Sequence, residues 1–162
     1  MTFFPNIPTE EVFTSPDRMR ADGIVRSSMP LVHAGQVVRD FWMRFEAGRV
    51  VEYGAEQGRE VLRHIIEADE NSCRLGEVAL VSKNTPIRQS ETLFFDTLYD
   101  ENASCHLEGG MSLDSDGLLV RGVNQSSTHV DFMVGTDDLN VYGVAADGAE
   151  IPVFVNGQWA WE

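Results

Sequence analysis

The sequence predicts an α+β domain dominated by a strand-rich, curled antiparallel or mixed sheet, a partial barrel, with one principal amphipathic helix. Three observations lead there. The pairs Ala47-Gly48, Asp147-Gly148 and Asn156-Gly157 each separate two short strand-like runs, and such pairs supply the positive backbone angles of tight hairpins. From Ala55 to Asp69, the apolar residues Val61, Leu62, Ile65 and Ile66 recur at helical spacing, with Arg59, Glu60, Arg63, His64 and Glu67 on the other face. A chain of 162 residues is most simply one domain, residues 1–162, able to bury about two-thirds of the surface that its unfolded form exposes.

The first element is the extended stretch NIPTEEVFTSP, where Glu10 and Glu11 precede Val12-Phe13. Side chains alternate along a strand, so only one of the two acids readily reaches a common site. VVRDFWMRFE and RVVEY then form a hairpin about Ala47-Gly48. The helix over 55–69 packs on the sheet and leaves His64 in solvent. LGEVALV, residues 75–81, has the apolar content of a buried strand, yet Glu77 sits inside it, and an uncompensated carboxylate is costly to bury. It faces solvent or an arginine from an edge strand, or it meets a cation in the interior.

The apolar run TLFFDTLY leads into DENASCH, residues 100–106, where Asp100 is expected to cap a short helix beginning within ENASCH. Residues 109–124 are rich in Gly, Ser and Asp and have the composition of a long flexible connection. In SSTHVDFMVG, period-two alternation puts His129 and Asp131 on one face of a strand and Val130, Phe132 and Val134 on the other. VYGVAA, AEIPVFV and QWAW complete the chain as strands joined by the two remaining hairpin signals.

Charge narrows the partners. Acids outnumber bases 26 to 12, a net charge of -14, which argues against nucleic acid or an anionic membrane as partner. Such a field favours cations, either metal ions or a protonated amine, although solubility is its plainer meaning. The start MTFFPNIPTEE has no basic region followed by an apolar one, and no stretch approaches membrane-spanning length. A cytoplasmic protein is expected. Cys73 and Cys105 are too few for a disulfide framework and are expected to be packing thiols.

The chemistry-bearing residues are Glu10 or Glu11, Glu77, His106, His129 and Asp131, all on or beside expected strands. Imidazole and carboxylate ligate zinc, cobalt and manganese well, and this mixture suits two divalent ions that share carboxylates and acidify a water. Alone, the H-x-D pair is equally an ordinary hydrogen-bonded pair. Cys105-His106 is no catalytic dyad, since sequence neighbours rarely aim at one another. Zinc-finger spacing, a phosphate-binding glycine loop and a G-x-S-x-G elbow are all absent from the sequence.

The segments NIPTEEVFTSPD, AEQGREVLRHIIEAD, LGEVALV, TLFFDTLYDENASCHL, VNQSSTHVDFMVG and IPVFVNGQWA, in this order and over nearly the whole chain, resemble the C-terminal half of the aminopeptidase T and aminopeptidase S family of bacterial metallo-aminopeptidases. The resemblance implies a co-catalytic pair of divalent metal ions, zinc, cobalt or manganese, and a peptide substrate with a free N-terminus. It assigns the ligands to Glu11, Glu77, His106, His129 and Asp131 and the general base to Glu10, with the acids of DENASCH supporting His106. A homodimer is among the expectations.

Two departures accompany it. Family members are two-domain chains more than twice this length, so the N-terminal domain that covers the cleft is expected to be missing. The family's tyrosine, seven residues after the DENASCH histidine, is Leu113 here. The rival expectation is therefore a non-catalytic metal-binding or interaction module derived from the same scaffold.

Overall fold

The hairpin signals act where the sequence has them. In the computed structural model, which describes residues 9–94, 96–110 and 122–162, Ala47 and Gly48 take φ of 46° and 79° between β5 (Trp42–Glu46) and β6 (Arg49–Gly54). Asn156 and Gly157 take 52° and 76° between β11 (Glu150–Val155) and β12 (Gln158–Trp159). Two positive angles in succession are the twist-matched turn of a two-residue hairpin. A third turn of this kind, Ala34-Gly35 at 49° and 74°, joins β3 (Leu31–His33) to β4 (Gln36–Val38), whereas in Asp147-Gly148 only the glycine takes a positive φ.

The remaining strands are β1 (Glu11–Thr14), β2 (Gly23–Arg26), β7 (Leu75–Val81), β8 (His106–Gly110), β9 (His129–Met133) and β10 (Val141–Val144). They assemble as a four-stranded sheet in the order β1-β7-β8-β9, three-stranded sheets β2-β5-β6 and β10-β11-β12, and the β3-β4 ribbon. Every strand pair among the described residues is antiparallel. This corrects the expected architecture: the α+β domain built on one curled antiparallel or mixed sheet, a partial barrel, is replaced by several small antiparallel sheets, with no closed barrel among the described residues. The physical reason is strand length. Strands of two to seven residues that return through tight turns pair locally, and none is long enough to be shared around a closing barrel.

Helix is also scarcer than expected. α1 (Arg59–Ile66) has eight residues, while α2 (Pro86–Gln89) and α3 (Thr97–Glu101) have four and five. The predicted helix over 55–69 is cut at both ends. Gly58, at φ 78°, opens it, and Glu56 and Gln57 are instead held by Arg39 through backbone hydrogen bonds. The apolar stripe is as the periodicity predicts, with Val61, Leu62, Ile65 and Ile66 buried and His64 exposed.

That stripe meets Val38, Phe41, Met43 and Phe45, together with Cys73, Leu75, Val130 and Phe132, in one buried apolar cluster. Phe41 and Phe132 pack edge to face with ring centroids 5.9 Å apart, a favoured aromatic geometry. Cys73 and Cys105 are free and buried, as packing thiols should be, and burial pushes the Cys105 thiol up. Of the connection expected over 109–124, residues 111–121, including Leu113, lie outside the described residues.

Candidate metal centre

The four-stranded sheet has two unlike faces, and register decides which residues share each. Directly opposed residues of an antiparallel pair point to the same side, as do residues two apart along one strand. Glu77 on β7 opposes Glu108 on β8, and Glu108 opposes Asp131 on β9. His106 lies two residues before Glu108, and His129 two before Asp131. Glu11 on β1 opposes Val81, four residues beyond Glu77. All six titratable side chains therefore share one face. Leu107 and Phe132, opposed in the same ladder, point the other way toward the apolar core.

The first group is centred on His106, which is only 1% exposed. Its Nε2 stands 3.2 Å from Glu11 Oε2 and 3.6 Å from Glu77 Oε1, and one ligand atom from each of the three lies within 4.8 Å of the others. Nδ1 is 3.0 Å from the Ser104 carbonyl. A carbonyl can only accept, so the proton is fixed on Nδ1 and Nε2 is left facing the two acids. Gly135 lets the strands close around this histidine, because a Cβ there would meet Ser104 Oγ at 2.3 Å and the Cys105 nitrogen at 2.7 Å.

Glu77 thus stands on an interior strand and is 6% exposed, not facing solvent from an edge. Burial opposes the charged form of His106, but Glu11, Glu77 and the Ser104 carbonyl outweigh it and push the histidine up to about 10. In a metal-free chain a proton therefore occupies the position between these groups. A divalent cation is the natural competitor for it.

The second group is centred on His129, whose side chain is about one-third exposed. Its Nε2 lies 3.5 Å from Asp131 Oδ2 and its Nδ1 3.2 Å from Glu108 Oε1. Asp131 and Glu108 together push the histidine up to about 11, against burial. Asp131 is 4% exposed and Glu108 fully buried, and none of their four carboxylate oxygens makes a hydrogen bond of good geometry among the described residues. Burial pushes the Glu108 carboxyl up, with Asp131 and Glu77 adding to the effect and His129 opposing it. Glu108 was absent from the sequence-based candidates. The signal for it was available: H-L-E at 106–108 has the same spacing as H-V-D at 129–131.

Glu10 is placed differently. Its Oε2 accepts the Ile87 N–H at 3.1 Å, at the start of α2, and its own N–H donates to Asn102 Oδ1 at 2.6 Å. DENASCH therefore supports the site through its amide. Asn102, fully buried, also donates to the Leu98 carbonyl at 2.9 Å and so ties β1 to α3. Asp100 does not cap a helix within ENASCH; it lies inside α3 and reaches back to the N–H groups of Phe94 and Asp96 at 2.8 and 3.2 Å. It thereby ties the segment just before the helix to the helix itself. The His106 ring is itself held from behind by the Ser104 carbonyl.

The donor set suits divalent metal. Two ligands of a tetrahedral ion with bonds of about 2.1 Å stand roughly 3.4 Å apart, and the nitrogen-to-oxygen separations of 3.2, 3.6 and 3.5 Å bracket that edge. Four buried acids on one sheet face are also costly without compensating charge.

Comparison with known proteins agrees with this chemistry. A family model described as thermophilic metalloprotease (M29) matches residues 1–159. Aminopeptidase AmpS of Bacillus subtilis (strain 168) is 47% identical over 98% of this chain and 41% of its own length. Aminopeptidase T of Thermus aquaticus is 45% identical over 96% of this chain and 40% of its own. The solved structure of wild-type AmpT from Thermus thermophilus superposes with a TM-score of 0.89 at 45% identity, over 96% of this chain and 41% of that one. The chain thus spans about two-fifths of the length of these relatives.

Proposed function

This chain belongs to the thermophilic metalloprotease (M29) family, and we propose that it forms the metal-binding catalytic domain of an aminopeptidase, acting on peptides with a free N-terminus. The observation that carries this is the convergence of Glu11, Glu77 and His106 within ligand distance, with His129 and Asp131 beside them on the same sheet face. The names of the relatives, all aminopeptidases, supply the substrate class.

Two divalent ions, zinc, cobalt or manganese, would be held by Glu11, Glu77 and His106 on one side and by His129 and Asp131 on the other. When bound, they supply Lewis acidity toward a peptide carbonyl and bring the pKa of a water toward neutrality. Glu77, opposite Glu108 in the middle of the face, is the carboxylate best placed to serve both groups. Ser104 keeps Nε2 of His106 available for ligation. Glu10 would act as the base that takes the water's proton and returns it to the departing amine, a role that requires its carboxylate to leave the Ile87 N–H that holds Oε2 here.

The half-open edge at His129 admits substrate, and a cleft of about 90 Å³ lined by Met29, Leu31, Leu93, Asp131 and Met133 offers apolar walls for the N-terminal side chain. The net charge of -14 draws in the substrate's ammonium group. No helix among the described residues is long and apolar enough to cross a membrane, and we place the protein in the cytoplasm.

Elemental analysis of the chain purified without chelator, alongside Glu77→Gln and His129→Ala, tests the proposal. The expected result is divalent metal in the parent and less in both variants. Equal metal content in all three proteins would overturn it.

A further inference from the structure

We infer that Glu108 is the positioning residue of the His129 half of the metal centre: it holds the Nδ1 proton of His129 and so presents Nε2, beside Asp131, to the second cation. The inference rests on the reading of this face as a two-ion site.

The argument is a comparison of the two histidines. At His106, Nδ1 is engaged by the Ser104 carbonyl at 3.0 Å, and Nε2 faces the acids at 3.2 and 3.6 Å. At His129, Nδ1 faces Glu108 at 3.2 Å, and Nε2 faces Asp131 at 3.5 Å. The pattern repeats: one ring nitrogen against an acceptor, the other toward a carboxylate at a ligand-to-ligand distance. Histidines that ligate metal generally donate their other N–H to a carboxylate or carbonyl, which sets tautomer and ring orientation.

Glu108 meets two further requirements of such a partner. It is fully buried, so it is anchored and shielded from water that would compete for the imidazole. Apart from the 3.2 Å approach of His129 Nδ1, neither of its oxygens has a hydrogen-bond partner among the described residues, so it has nothing else to satisfy. The need for it is specific to this half. The His106 ring is locked by burial, whereas the His129 side chain is 36% exposed and would otherwise be free to turn. A carboxylate partner also makes the imidazole a stronger donor than a carbonyl does.

The test is a two-step cobalt(II) titration of the metal-free 162-residue chain, followed by calorimetry and by the visible absorption of each bound ion, for the parent, Glu108→Ala and Glu108→Gln. Far-ultraviolet circular dichroism checks that each variant is folded. The first ion, held by Glu11, Glu77 and His106, should bind all three proteins alike. The second should bind Glu108→Ala about 10- to 100-fold more weakly. Glu108→Gln should recover most of that loss, because its amide oxygen still accepts the Nδ1 proton.

Equal second-ion affinity in all three proteins overturns the inference. Equal, severe loss in Ala and Gln also overturns it, because only a direct ligand needs the carboxylate charge itself. Should Glu108→Ala not fold, the Gln comparison still decides between positioning and ligation. A parent chain that binds a single ion refutes the underlying two-ion reading, an outcome recognisable without either variant.

Discussion

The two faces of the β1-β7-β8-β9 sheet are buried alike and built of opposite materials. Phe132 is 5% exposed and its neighbour Asp131 is 4% exposed, yet one enters the apolar cluster and the other a field of carboxylates. Depth alone therefore says nothing about function. The apolar face is complete in itself, since each side chain gains by leaving water. The polar face gains nothing until opposite charge arrives, and in the metal-free chain protons on His106 and His129 supply part of it.

The comparison can be broken most forcefully on its apolar side. Phe132→Ala should cost about 3–5 kcal/mol, measured by chemical denaturation, and by the same amount with and without metal. A cost that depends on metal would mean that the two faces are not energetically separate.

Metal removal probes the other face. A cation bound only to the folded chain stabilises it by about 4 kcal/mol when present at roughly 1,000 times its dissociation constant. Chelation should accordingly lower the melting temperature of the parent chain, and Glu77→Gln should shrink that shift. An unchanged melting temperature in a verifiably loaded sample would leave the acids as a merely solvated cluster.

A third expectation turns on the sign of a slope. In the metal-free chain His106 and His129 are pushed up to about 10 and 11 from 6.5. Their contribution to stability is fully present below about 6.5 and is lost as pH rises through 10 and 11. Metal must displace those protons, so cation affinity should instead increase with pH over this window. Melting curves of metal-free protein and cation titrations at several pH values should run in opposite directions; parallel trends would remove the protons from the site.

The smallest expected effect sharpens the contrast by omission. His64 is an exposed helix residue beside Arg63, so His64→Ala should leave metal content unchanged and stability within about 0.5 kcal/mol. Elemental analysis and a denaturation curve check both.

Much of this was legible locally. The alternation of H-V-D-F-M separates His129 and Asp131 from Val130 and Phe132 without any structure, because the strand period is two. The helix stripe and the Ala47-Gly48 and Asn156-Gly157 turns are likewise properties of short segments. Overreach came where a local pattern was extended past its physical limit. The periodicity over 55–69 ignored Gly58, whose left-handed backbone begins the helix there, and several short hairpins were merged into one curled sheet.

By itself the sequence determined which residues are of ligand-forming type, which side of each strand they occupy and where the chain turns back. Only the tertiary structure decided that β1, β7, β8 and β9 are neighbours in a register that sets Glu77 against Glu108 and Glu108 against Asp131. It also decided that Glu108 belongs among them. The reason is the reach of the two kinds of information: side-chain alternation is a property of a few bonded residues, whereas register is fixed by hydrogen bonds between segments far apart in the chain, and a slip of one residue would turn every side chain of a strand to the other face.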